Sequence, residues 1–116
     1  MPAELRPSQA LRLWHDVIFD LVRDDEPDLS ARQQAVLLTV YLEPPPHTVR
    51  GLAAKLNVTK PAITRALDRM GRTGLLTRKR DQNDRRNVVV QRTLAGALAV
   101  ERLGDRIVER YKQLPR

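Results

Sequence analysis

The first half of the chain shows apolar side chains at helical spacing. Between residues 8 and 23 they recur every three or four positions, which is typical of an amphipathic helix. Ser30 followed by Gln33 has the spacing of a capping box and predicts the start of a second helix. Residues 35–42 are apolar around the whole circumference of that helix, so we expect it to lie at the centre of the core.

Two shorter helices are predicted after three consecutive prolines, which cannot continue a helix. Thr48 can cap a helix over residues 49–56, and Asn57 tolerates the left-handed conformation of a tight exit. Thr59 can cap the next helix at once, with Pro61 in its first turn. Two short helices joined by about three residues have the spacing of a helix-turn-helix.

The pattern changes after Gly74, which predicts the end of the fourth helix. Residues 75–80 lose the helical period, and residues 87–92 are rich in β-branched side chains, so both are predicted strands. The polar, turn-rich segment 81–86 between them predicts a hairpin wing. A last helix is expected over about 94–113.

These elements predict a mainly α fold with a small β-hairpin wing. The 116 residues suit one domain, 1–116, because two independent cores would need a longer chain. Within it we predict a winged helix-turn-helix core over 30–93. The terminal helices, at 5–24 and 94–114, are predicted to form a dimer interface, since they carry more apolar surface than a compact monomer needs to expose. The candidate interface residues are Leu11, Trp14, Ile18, Leu103, Ile107 and Tyr111.

The composition excludes several classes of function. Cysteine is absent, which removes disulfides, thiolate catalysis and cysteine-ligated metal sites, and two histidines make no histidine-rich site. The longest uncharged stretch, residues 33–42, is too short to span a membrane, and no signal-type segment opens the chain. No catalytic motif is present either. We therefore expect a cytoplasmic protein that is not an enzyme, has no membrane contact and needs no cofactor or metal.

The positive charge is concentrated in the middle of the chain. Of a net charge of +7, residues 47–93 hold 12 basic and 3 acidic side chains, whereas residues 1–46 hold 4 basic and 8 acidic ones. A positive charge that served only solubility would be distributed along the whole chain. A local excess of this size favours a positive face that follows a phosphate backbone.

The segment 48–96 contains a set of short motifs at regular spacing. They are Leu52-Ala53, Val58-Thr59-Lys60, Thr64-Arg65, Leu67-Asp68-Arg69, Gly74-Leu75, Asp84-Arg85-Arg86, Thr93 and Gly96. With these motifs the segment closely resembles the winged helix-turn-helix of the MarR family of bacterial transcriptional regulators. Members usually place one N-terminal and two C-terminal helices in a dimerisation domain. This chain has sequence for one helix after the wing, so we expect a short form with a smaller dimer interface.

The fourth helix carries the side chains that major-groove binding requires. Base edges and phosphates lie at different depths, so short polar and long basic side chains are both needed. The candidates are Thr59, Lys60, Pro61, Thr64, Arg65 and Arg69. We expect Arg65 to read a guanine edge and Thr64 to contact a base or a phosphate. Lys60 and Arg69 are expected on phosphates. The alternative, a merely solvated helix face, is disfavoured by the neighbouring wing and the local charge.

The wing candidates are Asp84, Arg85 and Arg86. An arginine can enter a narrow minor groove, where the negative potential is enhanced. A carboxylate repels phosphate unless it orients a neighbouring guanidinium, and the family pattern places an aspartate in that role. We favour Arg86 as the inserted residue and Arg85 on the backbone. The alternative is an ordinary polar hairpin turn.

The sequence thus predicts a sequence-specific regulator of transcription, a repressor, which binds double-stranded DNA as a homodimer on an inverted repeat. The alternative is a winged-helix protein-interaction module that docks an acidic protein partner, although such a module does not need the wing arginines beside a Thr/Lys/Arg face. By resemblance, a small aromatic effector is a further candidate partner. Residues that could line its pocket are Trp14, His15, Tyr41 and His47, but no arginine cluster marks an anion site there.

Overall fold

The computed structural model describes residues 4–25 and 28–115. The parts of the predicted domain at 1–3, 26–27 and 116 lie outside the described residues. The elements are α1 (Pro7–Arg23), α2 (Ala31–Leu42), β1 (His47–Thr48), α3 (Val49–Leu56), α4 (Lys60–Arg72), β2 (Leu76–Arg80), β3 (Val88–Arg92) and α5 (Leu94–Lys112). This mainly helical chain with a small antiparallel sheet confirms the predicted fold class. The chain divides into two compact units, and the prediction of a single domain stays a prediction.

The first unit, Leu29–Val100, contains the helix-turn-helix and the wing. Its helix starts are capped as the sequence predicts. The hydroxyl oxygens of Ser30, Thr48 and Thr59 accept hydrogen bonds from the N–H groups of Gln33, Gly51 and Ala62. Each of these bonds satisfies an N–H group that has no partner within the helix, and so determines where the helix begins.

Two left-handed residues end the short helices. Asn57, with φ 56°, closes α3, and the N–H of Val58 then donates to the carbonyl of Ala53 at 3.0 Å. Gly74, with φ 77°, follows α4, and the N–H of Leu75 donates to the carbonyl of Met70 at 2.9 Å. These are the six-to-one bonds of a Schellman motif, which terminate each helix sharply. The first turn fixes the direction in which α4 leaves α3.

The three-stranded sheet has the order β1-β3-β2 and is antiparallel throughout. The predicted hairpin is its β2–β3 pair, in which Arg78 is opposite Val90 and Arg80 is opposite Val88. The sequence did not predict β1, because a strand of two residues has no hydrophobic period. It forms by pairing with β3, where His47 is opposite Val90.

The core of this unit lies between α2, α3, α4 and the base of the wing. Val36, Leu37 and Val40 are the buried residues of α2, and all three belong to the core, as the apolar circumference of that helix predicts. The sheet adds Leu76 and Val90, the one buried residue of each long strand. Val88, nearer the tip, is half-buried and packs against the same core, whereas residues 77–80 of β2 are exposed. The hairpin thus projects from a packed base.

A close contact around Gly96 joins α2, the α4–β2 link and the start of α5. The Tyr41 hydroxyl donates to the carbonyl of Thr93 at 2.9 Å and accepts from its N–H at 3.0 Å. A Cβ atom at position 96 would lie 2.1 Å from both the Tyr41 hydroxyl oxygen and the Leu75 carbonyl oxygen. Real Cβ atoms do not approach oxygen so closely, so only glycine fits this arrangement.

The second unit holds the described residues of Met1–Asp28 and Glu101–Arg116, and an ion-pair network crosses it. The Asp20 carboxylate accepts from Arg110 Nη2 at 2.6 Å and from its Nε at 2.7 Å. Arg106 bridges Asp20 and Asp24. Hydrogen bonds from Arg110 and Arg106 lower the pKa of Asp20 from its ordinary value of 3.8 to about 2. Asp20, the earlier of the two carboxylates, pairs with Arg110, and Asp24, which directly follows α1, pairs with Arg106. The later turns of α5 therefore run antiparallel to α1.

We expect Gly96→Ala to destabilise the fold. The added methyl group must displace a backbone carbonyl and the Tyr41 hydroxyl, and overpacking of this kind costs about 1–3 kcal/mol. Gly104→Ala is the matched control, because it lies on the same helix with nothing within 4 Å of the new Cβ. That variant should be as stable as the parent or about 1 kcal/mol more stable. Urea unfolding followed by circular dichroism measures both, and equal stabilities would contradict the close contact.

Candidate nucleic-acid interface

α4 presents two different faces. The inner face is buried and consists of Ala62, Ile63, Ala66, Leu67 and Met70. Lys60, Pro61, Thr64 and Arg65 are all exposed and follow one another on the outer side at helical spacing. The structure therefore brings these four predicted groove residues together on one surface.

Two further predicted residues lie in other settings, Thr59 just before α4 and Arg69 within it. The Thr59 hydroxyl oxygen accepts from the N–H of Ala62 at 3.2 Å, so that oxygen serves the start of the helix. Arg69 is half-buried and lies one turn beyond Arg65 towards the end of the helix. The exposed predicted residues of α4 are thus concentrated in its N-terminal half, where the positive end of the helix dipole attracts anions.

Asp68 has a partner that the sequence did not indicate. Its Oδ1 atom accepts from Arg78 Nη2 at 2.7 Å, which ties α4 to β2. No spacing rule relates a helix residue to a strand residue ten positions later, since the pair forms only when the sheet packs beside the helix. The pair compensates the negative charge of Asp68 on α4 and uses one positive charge of the wing.

The wing tip is organised around Asp84. Its Oδ1 atom accepts from both the backbone N–H and the Nε of Arg86 at 3.1 Å, and its Oδ2 atom accepts from Arg86 Nη2 at 3.2 Å. The Arg86 side chain, then its backbone N–H, lower the pKa of Asp84 below the ordinary 3.8, and the charge of Arg50 adds to this effect. The carboxylate is therefore ionised at neutral pH and aligned with the Arg86 guanidinium.

Arg86 nevertheless points a large surface outward, since 79% of its side chain is exposed. Arg85 is exposed as well. The three predicted wing residues thus lie side by side at the tip, with the carboxylate against one of the two guanidinium groups.

Other basic residues of the central segment serve the fold. Arg92 Nε donates to the Val40 carbonyl at 2.9 Å, its Nη2 donates to the Glu43 carbonyl at 3.2 Å, and its guanidinium lies over the Tyr41 ring. These bonds satisfy carbonyls at the end of α2, where a positive charge also suits the helix dipole. The net positive charge counted over residues 47–93 is therefore larger than the charge that these side chains direct outward.

The predicted interface residues of the terminal helices lie in the second unit. Leu11, Trp14, Ile18, Ile107 and Tyr111 are exposed, and Leu103 is half-buried. Exposed apolar side chains on both α1 and α5 are what a pairing surface requires. The dimer itself stays a prediction.

The four candidate effector residues are divided between the two units. His15 stacks on Phe19 and contacts Asp16 at 2.9 Å, and Trp14 is exposed. In the other unit, the Tyr41 hydroxyl is hydrogen-bonded to the Thr93 backbone. His47 is buried, and its Nε2 atom contacts the Glu43 carbonyl at 3.1 Å. The effector site stays a prediction.

Among residues 4–25 and 28–115, no group of three or more histidine, aspartate and glutamate side chains is arranged to hold a metal ion. Within the same ranges, none of the helices has both the length and the apolar character needed to cross a membrane.

The profile of the MarR family matches residues 29–88, more than half of the chain and nearly all of the helix-turn-helix and wing. The chain belongs to the MarR family. The fold and the family are those of winged helix-turn-helix transcriptional regulators, which confirms the resemblance read from the motifs of residues 48–96.

Named relatives within the MarR family agree with this assignment. The homoprotocatechuate degradative operon repressor of Escherichia coli is 30% identical over 82 residues, covering 71% of this chain and 55% of that protein. The organic hydroperoxide resistance transcriptional regulator of Bacillus subtilis is 33% identical over 81 residues, covering 70% and 54%. The chain thus spans about half the length of the curated relatives it matches.

A mutant of S. aureus MepR has a similar structure, with a TM-score of 0.73 and 22% identity, covering 95% of this chain and 81% of that chain. At this identity the likeness concerns the fold. It extends the agreement with known winged-helix structures beyond residues 29–88.

Proposed function

We propose that this MarR family protein is a sequence-specific regulator of transcription that binds double-stranded DNA as a homodimer and acts as a repressor. The observation that carries the proposal is one exposed surface of α4 with both short polar and long basic side chains, beside a wing whose Arg86 is oriented by Asp84. Repression is the mode named for the relative from Escherichia coli.

The outer face of α4 lies in the major groove in this proposal. Arg65 forms the bidentate contact that a guanidinium makes with the O6 and N7 atoms of guanine. Thr64 contacts a base or a phosphate nearby. Lys60, at the first position of the helix, binds a phosphate near the positive end of the helix dipole, and Arg69 binds a phosphate further along.

The wing lies over the adjacent minor groove. Arg86 enters it, because a narrow groove concentrates negative potential and attracts a guanidinium without reading a base pattern. Asp84 orients this guanidinium before DNA arrives, so less side-chain freedom is lost on binding. Arg85 contacts the sugar-phosphate backbone beside it.

A homodimer presents two such surfaces to one face of the duplex. Closed two-fold symmetry then requires an inverted repeat with half-site centres about one helical turn apart. The exposed apolar residues of α1 and α5 support this assembly, since they need a partner surface.

Arg65→Ala and Lys60→Ala should have different effects on specificity. Loss of Arg65 costs about 1–3 kcal/mol and relaxes the preference at one base position, whereas loss of Lys60 weakens all sequences about equally. Binding of the parent and both variants to a library of random duplexes measures this. A uniform loss with both variants would make Arg65 a backbone contact. Failure of the parent to select any duplex, with tight binding to an acidic protein surface instead, would favour the interaction-module alternative.

Asp84→Asn should weaken DNA binding although it removes a negative charge. Asparagine keeps an oxygen for the Arg86 N–H but cannot accept both guanidinium bonds, because its NH₂ group is a donor, so the guanidinium is held less firmly. Asp81→Asn is the matched control in the same loop: the Asp81 carboxylate accepts from the backbone N–H of Asn83 at 2.9 Å, and asparagine keeps an oxygen for that bond. Fluorescence anisotropy should show unchanged or tighter binding for Asp81→Asn. The same result for Asp84→Asn would rule out the orienting role.

Leu103→Arg combined with Ile107→Arg should produce a folded monomer that no longer binds the operator, since two charges would be placed in an apolar interface. Glu101→Arg combined with Asp105→Arg has the same spacing on exposed polar positions and should remain dimeric. Light scattering gives the mass and circular dichroism checks the fold. A monomeric parent at micromolar concentration, or a dimeric and fully active double variant, would contradict the proposed interface.

A further inference from the structure

Three consecutive basic residues of β2 are exposed, and they do not all point the same way. Side chains alternate across a strand, so Arg78 and Arg80 share the side of buried Leu76, whereas Lys79 lies on the opposite side. In sequence the three residues are equivalent candidates for phosphate contacts. In the structure Arg78 is paired with Asp68, and Arg80 contacts the wing tip.

The contact of Arg80 is with the main chain of the tip. Its Nη1 atom donates to the backbone carbonyl of Arg85 at 2.5 Å, across the loop that joins β2 to β3. That carbonyl belongs to the peptide unit between Arg85 and Arg86. The N–H of the same peptide unit donates to Asp84 Oδ1 at 3.1 Å.

Both polar groups of one peptide unit are therefore bound by side chains on its two sides. A peptide unit is planar, so binding its C=O and its N–H together fixes the rotation of the whole plane. The Cα atoms of Arg85 and Arg86 lie at its two ends. Their side-chain directions follow from the plane, and these are the two arginines proposed to contact DNA.

We propose that Arg80 is a positioning residue of the wing. By binding the carbonyl between Arg85 and Arg86, it orients Arg86 for the minor groove and Arg85 for the backbone beside it. The inference rests on the proposed function, because its effect on affinity requires DNA. It gives Arg80 a role different from that of Lys79, which has the same charge and is adjacent in sequence. It also makes the peptide unit between residues 85 and 86 the point through which Arg80 acts.

The first test uses the free protein. Arg80→Met removes the donor while keeping an unbranched side chain, and Lys79→Met removes the same charge from the other side of the strand. Backbone ¹⁵N relaxation should show the order parameters of residues 84–86 falling from about 0.85 to below about 0.6 in Arg80→Met. They should stay unchanged in Lys79→Met. Equal rigidity of the tip in both variants would overturn the positioning role, whether or not the protein binds DNA.

The second test uses two operator duplexes whose wing-contacted flank is either A·T-rich, with a narrow minor groove, or G·C-rich. Arg80→Met should lose about two- to tenfold in affinity on the A·T-rich flank, as expected for one hydrogen bond, and much less on the other. Lys79→Met should weaken both duplexes alike. A uniform loss with Arg80→Met would identify a direct phosphate contact and overturn the inference.

A double-mutant cycle completes the test. If Arg80 acts through Arg86, then Arg80→Met should have little further effect on the A·T-rich duplex in an Arg86→Met background, because coupled residues are not additive. Full additivity would overturn the inference. If the parent binds no duplex at all, the proposed function fails, while the relaxation measurement on the free protein still decides whether Arg80 holds the tip.

Discussion

The Tyr41 hydroxyl, the Leu75 carbonyl and Gly96 meet within a space that has no room for one additional carbon atom. Because Tyr41 is on α2, Leu75 is at the α4–β2 link and Gly96 is in the first turn of α5, this meeting fixes three segments relative to one another. Thr93 completes it, since its hydroxyl donates to the Gly74 carbonyl at 2.6 Å and accepts from the Gly96 N–H at 2.9 Å. The end of α4 and the base of the wing therefore share one rigid support.

The proposed DNA-binding surface depends on that support. α4 is anchored by five buried side chains on its inner face, so its outer residues are displayed by a packed helix and not by a flexible loop. Sites on packed elements have well-defined geometry. The Asp68–Arg78 pair then connects α4 to β2, the first strand of the wing hairpin, so both proposed groove contacts belong to one framework.

Basic residues of the central segment have two different physical roles. Arg92 binds carbonyls at the end of α2, Arg78 binds a carboxylate, and Arg80 binds a peptide carbonyl. Planar guanidinium groups suit such contacts because each has five donors in a fixed arrangement. Lys60, Arg65 and Arg86 direct exposed charge outward instead. A net charge counted from composition cannot make this distinction, because it depends on which acceptor each side chain reaches.

The sequence by itself determined the local structure of this protein. Helix caps at Ser30, Thr48 and Thr59, the left-handed residue Asn57 and the hydrophobic periods are short-range features, so each acts within a few residues, and the MarR family could be named from motifs at fixed spacing. Tertiary structure alone decided the β1–β3 pairing, the Asp68–Arg78 pair, the Arg80 contact and the close approach at Gly96. Those features join residues that are brought together only when the chain packs, and no periodicity or spacing in the sequence encodes such distances.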